Sequence, residues 1–187
     1  RNAGGAAAGS GTITYNDANG FAVRQIETTG AATLTAHGAI STDSSGFPGT
    51  VVADTLTVKS LSNSGADIIL NAAGNDVNSL TVKVRDAADA AIAGSTATPS
   101  GTIRFTDADG FSVTSVETLG STVLSSAGPV TQTGAILSAK LGLQGSGSYT
   151  LNAANTGVPL NEVSIFASDA TGAVNLSSKL ALTIGSV

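Results

Sequence analysis

The sequence predicts an all-β protein that grows by stacking similar units, a rod segment rather than a compact catalytic domain. Three observations carry this. First, Ser10-Gly11-Thr12-Ile13-Thr14-Tyr15-Asn16-Asp17-Ala18-Asn19-Gly20-Phe21-Ala22-Val23 returns as Ser100-Gly101-Thr102-Ile103-Arg104-Phe105-Thr106-Asp107-Ala108-Asp109-Gly110-Phe111-Ser112-Val113. A third copy starts at Gly172-Ala173-Val174-Asn175-Leu176 and runs to Leu182-Thr183-Ile184-Gly185-Ser186-Val187. Self-similarity of this kind marks architectures in which each unit buries its apolar face against the next. Second, short segments rich in Val, Ile, Leu and Thr alternate with Gly, Asn and Asp, which is strand-and-turn chemistry. Third, no stretch shows helical periodicity.

Taken in order, residues 1–9 are Ala/Gly-rich and read as a linker or an incomplete coil. Strands are expected at 12–15, 21–26, 32–36, 50–52, 55–59, 67–70 and 79–84 in the first repeat, 10–99. The second repeat, 100–171, has them at 102–105, 111–116, 122–124, 136–143, 148–151 and 162–166. A third repeat opens over 172–187. The first repeat is the longer, and its surplus points to two inserted loops, near 43–49 and within 86–99, both rich in Gly, Pro, Ser, Ala and Asp. Such insertions belong on the surface. Inward positions are expected at Ile13, Phe21, Val23, Ile26, Leu70, Ile103, Phe111, Val113, Val116, Leu151 and Ile184.

Composition sets bounds. Of 187 residues 41% are hydrophobic, enough for a core, yet only 4% are aromatic, so aliphatic side chains must build it. Eight Lys and Arg against thirteen Asp and Glu leave a net charge of −5, without the clustered basic footprint that nucleic acid requires. No apolar run reaches the roughly 20 residues of a membrane-spanning helix. With no Cys there are no disulfides or thiolate metal sites. The absence of an initiator Met and of a leader sequence reads as an excised or processed segment.

The stretch from Gly128-Pro129-Val130-Thr131-Gln132-Thr133-Gly134-Ala135-Ile136 through Leu141-Gly142-Leu143-Gln144-Gly145-Ser146-Gly147-Ser148-Tyr149-Thr150-Leu151, with Asn155, Leu160 and the third copy, resembles the repeat region of filamentous-haemagglutinin-like large exoproteins of the two-partner secretion route. The resemblance is best over 100–187 and weaker over 10–84. It implies a right-handed parallel β-helix, a β-solenoid, from a Gram-negative bacterium, placed outside the cell or on its surface. The implied role is structural, a segment of an adhesin or filament-forming shaft and not an enzyme. Its implied partners are neighbouring repeats, identical subunits stacked end to end, or host glycans and proteins. Coils of roughly 20–25 residues would give about eight of them, and at about 4.8 Å each a rod roughly 40 Å long. The rival fold is a pair of bacterial immunoglobulin-like sandwiches, which suits a 90-residue period but lacks a Trp or Cys anchor.

Candidate chemistry is sparse. Asp17 and Asn19, with Asp107 and Asp109, alternate oxygen-bearing side chains before Gly, as calcium loops do. Corner turns demand the same residues, and the third copy has Ser178, Leu180 and Ala181 there. His37, the single histidine, has Ala127 as its counterpart in the second repeat, and the sequence offers no second histidine as a ligand. The densest charged group is Lys83, Arg85, Asp86 and Asp89 beside the second insertion. It reads as a solvated loop flank, or as a binding patch of a carbohydrate-binding or carbohydrate-cleaving module. Asn71 and Asn152 occupy matching Leu-Asn-Ala-Ala positions and are expected to hydrogen-bond coil to coil. Asn175-Leu176-Ser177 has the form of a glycosylation sequon. No cofactor motif is present.

Overall fold

A computed structural model describes residues 11–46, 49–92, 98–152 and 161–186. The strands are β1 (Ile13–Asp17), β2 (Phe21–Val23), β3 (Gln25–Glu27), β4 (Ala31–Ala36), β5 (Ile40–Thr42), β6 (Thr50–Leu61), β7 (Ile68–Leu70), β8 (Asp76–Arg85), β9 (Ile103–Asp107), β10 (Phe111–Glu117), β11 (Ser121–Ser126), β12 (Val130–Gln132), β13 (Ile136–Gln144), β14 (Tyr149–Leu151), β15 (Glu162–Ser168), β16 (Val174–Leu176) and β17 (Thr183–Ile184). All belong to one 17-stranded sheet, and every strand pairing is parallel. No α-helix occurs among the described residues. Immunoglobulin-like sandwiches are antiparallel, so that alternative is set aside.

Pairing runs from each coil to the next, which makes the sheet solenoid-like. Ile13 pairs with Ala32, Ala32 with Leu56 and Leu56 with Leu80. One column stacks β2, β5, β7, β9, β11, β13, β15 and β17, and another of equal length stacks β1, β4, β6, β8, β10, β12, β14 and β16. Eight strands at about 4.8 Å match the expected number of coils. Alternation along each strand puts every second side chain inside. In β4 the buried residues are Ala32, Leu34 and Ala36, and in β8 they are Val77, Leu80, Val82 and Val84.

The two repeats use the same internal pairing, but the second does not stack squarely on the first. β9, the counterpart of β1, sits on β7 rather than in the column of β1, β4, β6 and β8; β10 continues that column instead. The next junction does the same, with β16 on β14 and β17 on β15. Each repeat therefore overshoots a whole number of coils by about one face, and equivalent positions of successive repeats point in different directions around the axis.

Turn chemistry fixes the corners. Asp107 accepts hydrogen bonds from the amides of Asp109 (3.2 Å) and Gly110 (2.8 Å). Gly110 holds φ at 118°, a region closed to most side chains, and a Cβ there would lie 2.4 Å from the Pro129 carbonyl of the adjoining coil. Sequence and structure differ at several strands: the expected segment 21–26 is two strands, β2 and β3, and the third repeat already forms β16 and β17. β5 and β12 were not expected, because three residues after a Gly read as turn. Residues 50–52 and 55–59 form one strand, β6, that serves two faces: Thr50–Val52 pair with β3 and Thr55–Ser60 with β4.

Seven of the expected inward residues are buried: Val23, Leu70, Ile103, Phe111, Val113, Val116 and Leu151. Ile13, Phe21 and Ile26 are half-buried. Ile184 is a correction, being 74% exposed. It pairs with Phe166 below, but no described strand pairs with β17 on its other side.

The largest buried side chain is Tyr149, whose hydroxyl donates to the carbonyls of Gln144 (2.5 Å) and Leu124 (3.2 Å). Burial pushes its pKa up to about 12, from an ordinary 10.0. An acid whose folded pKa is raised favours the fold while protonated, so stability is intact below pH 10.0 and falls as pH climbs toward 12. The expected loss is ~2–3 kcal/mol. Melting temperature against pH checks it, and Tyr149→Phe should abolish that alkaline slope.

Candidate functional site

The strongest side-chain cluster lies where β6, β8 and β10 stack and the chain leaves β8 for the second insertion. Parallel register puts Lys59 beside Lys83 and Lys83 beside Glu117, on the outer face of three successive coils. Arg85 follows two residues on, on the same face. Two cations stacked in register repel, so the array needs acids to close it.

Glu117 supplies one of them. Only 5% exposed, it accepts from Arg85 Nη2 at 2.6 Å and Nε at 3.0 Å through Oε2. Lys83 Nζ lies 3.7 Å from the same oxygen, and Oε1 accepts from the Ile92 amide at 2.6 Å. Asp89 supplies the second. Its carboxylate receives Lys59 Nζ at 2.5 Å and Arg85 Nη1 at 3.2 Å. Burial alone would raise the Asp89 pKa, but Lys59 and then Arg85 outweigh it and hold the carboxyl below the usual range. Lys83 is lowered by burial and by the Arg85 charge. Asp89 also adopts a left-handed backbone, φ 57°, which Asp tolerates better than most residues.

Of the four residues singled out in the sequence, the fold joins Arg85 to Asp89 directly and Lys83 to Arg85 through Glu117. Asp86 turns the other way. Its Oδ1 accepts from the amides of Ala88 (3.0 Å) and Ala90 (2.9 Å), folding the start of the loop on itself. Sequence reading missed Lys59 and Glu117. Lys59 was legible, because it precedes Lys83 by the same interval that separates Leu56 from Leu80. Glu117 was not, because the second insertion lengthens that coil. Each carboxylate in the cluster thus grips a cation, a loop amide or both, and the ensemble clamps the loop to the rod. Residues 93–97 of the insertion lie outside the described residues, as do residues 47 and 48 of the first one.

The remaining candidates are structural in placement. Asp17 accepts from the Asn19 amide at 2.8 Å and from the Tyr15 hydroxyl at 3.1 Å. Asp107, 2% exposed, also takes the Val77 amide of the coil beneath at 3.0 Å. Among the described residues no group of three or more His, Cys, Asp or Glu could hold a metal ion. His37 is exposed at a corner. Asn175 is exposed in β16. No helix among the described residues is long and apolar enough to cross a membrane.

The asparagine expectation needs correction. Asn71 is exposed and its side chain does not stitch coils together; Asn75 does. Fully buried, Asn75 accepts from the Val51 amide at 2.8 Å and donates to the Leu70 and Thr106 carbonyls at 2.9 Å each. Those groups belong to the coil below, its own coil and the coil above. Asn161, rather than Asn152, repeats the arrangement with the Ile136 amide (2.9 Å) and the Leu151 (2.9 Å) and Ser177 (3.0 Å) carbonyls. It adds Gln132, which donates to its Oδ1. The shared signature is Asn75-Asp76-Val77 and Asn161-Glu162-Val163, an Asn-acid-Val triplet.

Residues 10–82 match a family described as repeats of unknown function (DUF5649). Neither the curated proteins nor the solved structures contain a match to the chain.

Proposed function

We propose that this chain is a load-bearing segment of a surface or secreted rod, a right-handed parallel β-helix of the filamentous-haemagglutinin-like kind, which holds its loops or a distal region away from a cell. The observation that supports the reading is the unbroken parallel ladder from β1 to β17, in which each coil offers its backbone groups to the next. Such a structure gains stability from nearest-neighbour interfaces and lengthens without changing its cross-section. The buried asparagines serve the same end, since each ties three coils together through backbone atoms. The charged cluster belongs to this role as the clamp on an inserted loop.

Pulling single molecules by their two ends tests the reading. A shaft should resist, then lengthen in steps of about one coil as ladders part. Turnover of an acidic or neutral polysaccharide, lost in Asp86→Asn and Asp89→Asn, would overturn it in favour of a carbohydrate-active module.

A further inference from the structure

Asn19 stands at the corner between β1 and β2, and it is the one asparagine of the sequence followed by glycine. Asn63, Asn71 and Asn78 are exposed as well, but Ser64, Ala72 and Ser79 follow them. A side chain on the following residue crowds its backbone nitrogen, whereas glycine leaves that nitrogen open to a neighbouring side chain. Both Asn19 and Gly20 are exposed, so water reaches the pair.

The second repeat contains the twin of this corner, Asp107-Ala108-Asp109-Gly110, and the two differ in one tether. In the twin, Asp107 Oδ1 accepts from the Gly110 amide at 2.8 Å. At the first corner Asp17 Oδ1 accepts from the Asn19 amide, also at 2.8 Å, and among the described residues the Gly20 amide donates to no acceptor. Gly110 holds φ at 118°, while Gly20 lies outside that left-handed region. An amide N–H bonded to a carboxylate keeps its proton, since the negative charge beside it opposes the loss. No such bond restrains the Gly20 nitrogen.

From this contrast we propose that Asn19 is a site of spontaneous deamidation in the folded chain. The Gly20 nitrogen loses its proton and attacks the side-chain amide carbon of Asn19. A carbon–nitrogen bond forms to Gly20, the bond to the side-chain nitrogen breaks, and that nitrogen leaves with the proton as ammonia. The result is a cyclic succinimide. Water opens the ring at either carbonyl, with no change in oxidation state. Opening at one leaves an ordinary aspartate. Opening at the other leaves an isoaspartate, whose main chain runs through the former side chain.

The fold separates the two products. Aspartate is what the twin carries as Asp109, so the corner accepts it. Isoaspartate lengthens the main chain directly ahead of Gly20. A Cβ on Gly20 would already lie 2.4 Å from the Ala39 carbonyl oxygen, and the Phe21 amide donates to that same oxygen at 3.0 Å. The added carbon has no room there, so β2 should loosen from β5.

Ageing the intact chain in warm, mildly alkaline buffer tests the proposal, with peptide mass mapping and enzymatic labelling of isoaspartate as readouts. Asn19 should convert ahead of Asn63, Asn71 and Asn78. Asp109→Asn places the same Asn-Gly pair in the tethered corner. There it should convert about tenfold more slowly than Asn19 in the folded chain, and at an equal rate in denaturant. Asn19→Asp should keep the parent's melting temperature, whereas aged chains rich in isoaspartate should exchange the Phe21 amide faster. An Asn19 that persists in the folded chain while denatured chains convert overturns the proposal. So does an Asp109→Asn site that keeps pace with Asn19 without denaturant, since the tether would then decide nothing. None of these outcomes touches the rod reading, which stands on the pulling and turnover experiments.

Discussion

Asn75→Ala is expected to cost ~3–6 kcal/mol, a large part of the 5–15 kcal/mol that holds most domains together. The side chain is fully buried and serves three backbone groups in three coils. Truncation strands one amide and two carbonyls where no water reaches them. Each such orphan costs roughly 1–3 kcal/mol. The loss propagates, because the Val51 amide opens the third face of one coil and the Thr106 carbonyl closes a strand of another. Denaturant melts should show the loss in midpoint, and amide exchange should accelerate on both sides of β8, at Val51 and Ala108. Asn161→Ala should act likewise one repeat later, since it repeats all three bonds. Asn71→Ala is the control, an exposed asparagine whose loss should cost less than ~0.5 kcal/mol. Equal effects at Asn71 and Asn75 would sink the assignment.

Val113→Asp should be as damaging, by ~4 kcal/mol or more. Val113 is fully buried in β10, paired with Leu80 on one side and Gln132 on the other. A carboxylate there finds no cation, since the cations of β8 lie on the opposite, outward face of the sheet. Burying an unpaired charge is costly enough that the group protonates or the strand leaves. Protonation relieves the cost, so the variant should be more stable in acid and lose stability as pH rises through the normal carboxylate range. Thermal melts between pH 3 and pH 7 read this directly. Thr114→Asp, one residue away and exposed, should be far milder.

Much of this architecture was legible without coordinates. The copies at 10–23 and 100–113 announced a stacked repeat, and strands fell where Val, Ile, Leu and Thr clustered between turn residues. That information is local, since a strand's alternation and a corner's Gly are properties of a few neighbouring residues. The inward face of the first repeat's strands, Val23 and Leu70 among them, follows from the same alternation.

Other features arose only from how far one coil lies from the next along the chain. Partners are 19 residues apart between Ile13 and Ala32 but 35 apart between Ile68 and Ile103. A reader of the sequence has no fixed interval with which to find Glu117 over Lys83, or Asn75 between Val51 and Thr106. The asparagines show the hazard plainly. Matching Leu-Asn-Ala-Ala motifs drew the eye to Asn71 and Asn152, yet the coil closes four residues later, at Asn75.

By itself, then, the sequence determined an all-β repeat with an aliphatic core, and it determined that the copies would share one internal plan. It could do so because strand alternation, turn preference and repetition act over a few residues. Tertiary structure decided the parallel register, the one-face overshoot at each junction, and the clamp of Lys59, Lys83, Arg85, Asp89 and Glu117. Those depend on which coil lies under which. That arrangement is set by the summed burial and hydrogen bonding of whole coils, not by any single stretch of chain.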